Sequence, residues 1–120
     1  MNYLMITLVL SSNVFANVYK ASNHSIHLEK KNGLEITAKC SHCLAKKTLE
    51  KLTKKEIKTA LEKYSDARVP LSNRLCGGLN GAVWIMRDEK NQETSLCEFS
   101  DKSAILSESL AIKYHQIMAK

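Results

Sequence analysis

A small α+β domain, held together by disulfides, is what this 120-residue chain encodes. Three features carry that expectation. Two segments that alternate apolar and polar residues are joined by Asn32-Gly33. Helical periodicity runs from about His42 to Asp66. Cys76 and Cys97, with twenty residues between them, bracket a glycine turn, a strand, a polar turn and a second strand. Such a segment folds back, and a bridge between its ends would staple it.

The elements follow in chain order. Met1 to Ala16 carries no charged side chain and contains the apolar run Tyr3 to Leu10. That run suits the core of an export leader and is too short to span a bilayer. Val14-Phe15-Ala16 offers small residues at cleavage spacing, so residues 1–16 are expected to be a signal peptide. Ser25-Ile26-His27-Leu28-Glu29 and Leu34-Glu35-Ile36-Thr37-Ala38 then read as the strands of a hairpin. Asn-Gly is a strong turn signal because both residues accept positive φ.

Leu44, Leu49 and Leu52, then Ile57, Ala60, Leu61 and Tyr64, recur at helical spacing. Thr53-Lys54-Lys55-Glu56 has the pattern of a capping box. The region is therefore one long helix or two short ones with a joint near Thr53. Pro70 disfavours helical geometry in the residue before it and closes the region. Leu71 to Leu75 reads as a short helical turn, with Gly77-Gly78 as its cap and Gly81 as a second tight turn. Ala82 to Met86 and Thr94 to Phe99 are strands flanking a polar turn at Asp88 to Glu93. Period two places Cys97 and Phe99 on one face and Leu96 on the other. Asp101 or Ser103 is expected to cap a last helix containing Ile105, Leu106, Leu110, Ile112, Tyr114, Ile117 and Met118. The division is a leader over 1–16, a hairpin and basic helical region over 17–69, and a disulfide-containing region over 70–120.

Four cysteines allow three pairings, and the local spacings favour Cys40–Cys43 with Cys76–Cys97. Disulfides and a leader together point to a periplasmic or secreted protein. A net charge of +6 favours anionic partners: a membrane, a cell-wall polymer or an acidic protein. The basic helical region concentrates that charge in Lys46, Lys47, Lys51, Lys54, Lys55 and Lys58, which are the expected binding residues. With export and few aromatic residues for base stacking, nucleic acid is not an expected partner.

Two other chemistries have candidate residues. Cys40-Ser41-His42-Cys43 precedes a helix, and a thiol at a helix N-terminus has a lowered pKa. Thiol–disulfide exchange through Cys40 and Cys43, assisted by His42, is thus an alternative to simple binding. His24, His27, His42 and His115 are zinc-capable, but Cys76 and Cys97 form no second close pair beside Cys40 and Cys43, and His24 and His27, which could, sit in or beside the first strand near an unanchored terminus. No metal or other cofactor is expected. No Gly-x-Ser-x-Gly elbow appears, so hydrolytic catalysis has no motif to rest on.

From about Pro70 to Tyr114 the chain resembles the domain of unknown function 333 family, small exported bacterial domains often labelled hemolysin-type. Pro70-Leu71-Ser72-Asn73-Arg74-Leu75-Cys76 stands where that family has Asn-Pro-Ala-Ser and a cysteine. Gly81 takes the place of a turn glycine, and Cys97-Glu98-Phe99 matches a strand ending in Cys-x-Phe. Ser107-Glu108-Ser109-Leu110-Ala111 resembles the start of the family's last helix. The family's third cysteine has no counterpart, and Leu110 stands nearest its helix tryptophan. The resemblance implies the fold of the second half and brings no catalytic residues.

Overall fold

The computed structural model describes residues 16–120. The expected leader lies outside them, except that Ala16 is the first residue of a strand. The elements are β1 (Ala16–Ala21), β2 (His24–Lys31), β3 (Leu34–Thr37), α1 (Leu44–Lys51), α2 (Lys54–Lys63), α3 (Leu71–Gly78), β4 (Ala82–Arg87), β5 (Glu93–Glu98), β6 (Ala104–Leu106) and α4 (Ser107–Met118). No described helix is long and apolar enough to cross a membrane.

The strands do not stay as two separate hairpins. They close into one antiparallel barrel in the order β1-β2-β3-β6-β5-β4. This corrects the expectation of two independent ribbons, and two elements account for the difference. β1 follows directly on the apolar leader-like stretch, where its short alternation is hard to separate from the leader. It pairs with β2 from Ala16↔Glu29 to Ala21↔His24 through a two-residue turn in which Ser22 takes φ 52°. β6 is a fully buried Ala-Ile-Leu triplet. With no exposed position to alternate with, it carries the same apolar signal as the start of a helix. It joins β3 at Ile36↔Ile105 and β5 at three positions. The Thr37 hydroxyl reinforces the short β3–β6 junction by accepting from the Ala104 N–H at 2.6 Å.

The expected turns form for the expected reason. Asn32 and Gly33 take φ 54° and 82° between β2 and β3. Between β4 and β5, Asp88 Oδ1 accepts from the Lys90 and Gln92 N–H groups, both at 2.9 Å. Asn91 supplies the positive φ there.

Strand alternation sorts the apolar residues into two cores. Tyr19, Ile26, Leu28, Met86, Leu96, Ala104 and Leu106 fill the barrel. On the outside, Ile36, Cys97, Phe99 and Ile105 pack with Ala45, Leu49, Leu52, Ile57, Leu75, Cys76 and Leu110 in a helix–sheet layer. Leu96 thus points opposite to Cys97 and Phe99, as period two requires. Fully burying one such leucine stabilises by about 1.5–3 kcal/mol.

The helical region is two helices. Leu52 leaves helical geometry, and Thr53 starts α2 by accepting from the Glu56 N–H at 3.2 Å. Gly77 and Gly78 do not form a turn after α3 but complete its last turn. Gly78 is there for space: a Cβ would overlap the Ala60 carbonyl of α2. Gly81 likewise has no positive φ. That conformation falls to Asn80, at φ 70°, and a Cβ on Gly81 would strike both sulfurs of Cys76 and Cys97.

Both disulfides are Cys40–Cys43 and Cys76–Cys97, with Cα–Cα distances of 5.6 and 5.7 Å. The second does not close the β4–β5 hairpin on itself. Cys76 lies on α3 and Cys97 on β5, so the bond fastens a helix to the barrel wall. Such bonds persist in an oxidising environment.

Candidate functional site

The candidate site is a groove walled by three helices, and its lysines come from two of them. α1 has no cap from its own Cys43. Instead, the β5–β6 turn reaches across. Asp101 Oδ2 accepts from the Leu44 N–H at 2.8 Å, and Ser103 Oγ accepts from the Ala45 N–H at 2.9 Å. The expectation that Asp101 or Ser103 caps the last helix is therefore corrected. α4 begins at Ser107, after β6, with Leu106 as an N-cap whose side chain makes no capping hydrogen bond. The capping oxygens are used on α1, 57 and 58 positions away in the chain.

α1 buries Ala45 and Leu49, while α2 buries Ile57 and Ala60. The missing side chain at Gly78 lets α3 approach α2 closely. Between these elements lies an open groove of about 710 Å³, floored by Leu52, Ala60 and Leu79. Lys47 and Lys51, four apart on α1, line it together with Lys55 from α2. Glu56 is the groove's one acidic residue. Its carboxylate accepts from the Thr53 hydroxyl at 3.2 Å, which holds it at the α2 N-terminus.

The six expected lysines therefore separate. Lys47, Lys51 and Lys55 converge. Lys46 lines a neighbouring depression with Lys31, Lys113 and Glu50. Lys54 donates to the Lys120 carbonyl, just beyond α4. Lys58 is exposed on α2 and lines neither cavity.

Cys40 is buried, Cys43 half-buried and His42 exposed at the start of α1. A thiolate there would need free helix amides. Those of Leu44 and Ala45 are already engaged, and the acceptor for one is itself an anion. Burial pushes the Asp101 carboxyl up, but its bonds from the Ser103 hydroxyl and from the Leu44 and Ser103 N–H groups outweigh this. The result is a carboxyl held below its ordinary range, charged at neutral pH beside the disulfide.

Sequence reasoning missed two carboxylate clusters at the ends of the barrel. Glu98 is buried, accepting from the Trp84 indole N–H at 2.8 Å and lying 2.9 Å from His24 Nε2. The His24 and Trp84 rings lie 4.6 Å apart. Glu35 accepts from the Tyr19 hydroxyl at 2.7 Å and the Asn17 amide at 2.8 Å. Burial first, then this bond, raises the Tyr19 hydroxyl pKa far above its ordinary value. The available signal was parity: Glu98 shares the inward phase of Leu96. His27 is exposed, and His115 meets Tyr114 edge-on at 5.1 Å. Among the described residues, no three His, Cys, Asp or Glu side chains converge where they could hold a metal ion.

Comparison of the chain with protein-family models, curated proteins and solved structures gave no match.

Proposed function

We propose that this chain is a non-enzymatic binding module that works outside the reducing cytosol, in the periplasm or after secretion. It contacts an anionic surface, a membrane or a cell-wall polymer, through Lys47, Lys51 and Lys55. The observation that carries this reading is the convergence of three lysines from two helices on one groove. A single acid accompanies them, and it is already engaged by Thr53. Fixed helices hold the three lysine backbones in place, so no segment has to fold on contact. The two disulfides support the extracytoplasmic setting.

Membership of the domain of unknown function 333 family belongs to the same proposal. It rests on the likeness of Cys76, Gly81 and Cys97-Glu98-Phe99 to that family's pattern. Redox exchange through Cys40, His42 and Cys43 draws no support from the α1 N-terminus, where Asp101 and Ser103 hold the first amides.

The test is cosedimentation with vesicles of anionic phospholipid and with vesicles of neutral phospholipid. Binding to the anionic vesicles alone is expected, weakening as salt rises. At about 1 kcal/mol per lysine near such a surface, replacing Lys47, Lys51 and Lys55 together by Gln weakens binding by about a hundredfold. Lys90→Gln, in the distant β4–β5 turn, serves as the control. Equal loss in the control, or no preference for anionic vesicles, sinks the reading.

A further inference from the structure

β4 is an unusual strand for a closed barrel. Four consecutive residues are exposed, including Val83, Trp84 and Ile85 at 38%, 36% and 57%. On one side β4 pairs with β5 along its whole length. On the other it meets β1 at Lys20↔Arg87 alone. Among the described residues, no backbone hydrogen bond beyond the sheet ladder is present from Ala82 to Met86. The barrel closes at one end of this seam, and among the described residues the rest of β4 is an open edge.

Proteins ordinarily blunt such an edge with lysine, proline or a bulge. Ala82-Val83-Trp84-Ile85-Met86 has none of these. Its neighbouring charge, Arg87, is exposed but engaged by its own hairpin, donating to the Asn91 carbonyl at 2.9 Å and lying 3.4 Å from Glu93. Trp84 is fixed by Glu98 and His24, so its exposed edge is a constant part of this surface.

We propose that the open β4 edge is the interface for a second copy of this chain. The two edges would pair antiparallel about a two-fold axis, extending the sheet across both barrels. Three observations favour a second copy over other occupants. An uncharged strand is complementary to itself: antiparallel pairing sets apolar side chains opposite apolar ones on both faces. Arg87 lies at the end of the strand, so the two copies' arginines stay apart. In the ring order, the β1–β4 seam lies across the barrel from the β3–β6 junction, where α4 packs and where α1 meets β3. α3, which packs beside β4, carries no lysine, while α1 with Lys47 and Lys51 meets β3 across the ring, so those lysines of each copy lie off this edge.

Sedimentation velocity over a concentration series, on the folded chain with both disulfides formed, tests this. A reversible monomer–dimer equilibrium is expected. Ile85→Lys, at the most exposed position, raises the dimer dissociation constant by about tenfold or more, while Lys90→Gln leaves it unchanged. Hydrogen exchange of the wild-type chain gives a second readout that needs no variant: the amides from Ala82 to Ile85 slow as protein concentration rises. A chain that stays monomeric at millimolar concentration overturns the proposal. So does a dimer that is untouched by Ile85→Lys and leaves those amides unprotected, or a monomer that takes up vesicles or peptides along β4.

Discussion

At the level of single residues, the structure turns on short polar side chains that act far from their sequence neighbours. Asp101 is the clearest. It reads locally as the cap of whatever follows it, and it caps α1 instead. Removing it in Asp101→Ala leaves the Leu44 N–H without its acceptor and frees Ser103, at a cost of about 1–2 kcal/mol typical of lost N-caps. The cost depends on pH in a defined direction. The folded carboxyl titrates below its ordinary value, so its contribution is fully present above the unfolded carboxyl's pKa. It is lost as pH falls through the depressed folded value. Urea unfolding at neutral and at strongly acidic pH should show the gap between wild type and Asp101→Ala closing in acid. The glycines teach a related lesson. Gly77-Gly78 and Gly81 have the look of turns, and the expected positions are right to within a residue. Yet Gly78 makes room for the Ala60 carbonyl and Gly81 for a disulfide. Local sequence shows that a side chain is missing, whereas the neighbour needing the space is set by tertiary packing.

For the secondary-structure elements, legibility followed the length of the periodic signal. The β2–β3 hairpin, the division of the basic region at Thr53 and the β4–β5 pair each rest on several periodic residues plus a turn or cap residue. The chain states the two strand pairs plainly and offers the joint at Thr53 as one of two alternatives. β1 and β6 are the reverse case. One adjoins an apolar leader-like run and the other is three residues long, so neither offers a period to count. These two strands turn hairpins into a barrel, so the architecture was less legible than its parts. The groove divides in the same way. Lysine content and helical spacing were visible in the chain, but the α1–α2 crossing that selects Lys47, Lys51 and Lys55 was not. That crossing depends on the joint at Thr53. Thr53→Ala removes the hydroxyl that accepts from Glu56 N–H and releases the Glu56 carboxylate. A loss of about 1 kcal/mol in chemical denaturation is expected, with faster hydrogen exchange confined to the first turn of α2.

For the molecule as a whole, the barrel interior, the helical layer and the disulfides divide the work of stabilisation. Because β1–β4 closes by one register pair and β3–β6 by another, the ring is not held by its ladders alone. Much of the cohesion must pass through the helix–sheet layer, where Cys76–Cys97 joins α3 to β5 beside Leu75, Ile105 and Leu110. The two bridges should then differ in worth. Cys40 and Cys43 are 3 positions apart and Cys76 and Cys97 are 21 apart. Loop-closure entropy in the unfolded chain gives roughly 2 kcal/mol for the short loop and roughly 3 kcal/mol for the long one. Opening the long bridge also leaves two buried sulfur sites to repack against Gly81, which adds to its cost. Paired replacements by Ala, Cys40 with Cys43 and Cys76 with Cys97, compared by urea midpoint, are expected to rank in that order. Only the second should loosen β4 and β5 in hydrogen exchange. Equal losses from the two pairs would mean that α3 is held to the barrel by packing alone, and that the long bridge is not what keeps the helical layer closed over the sheet.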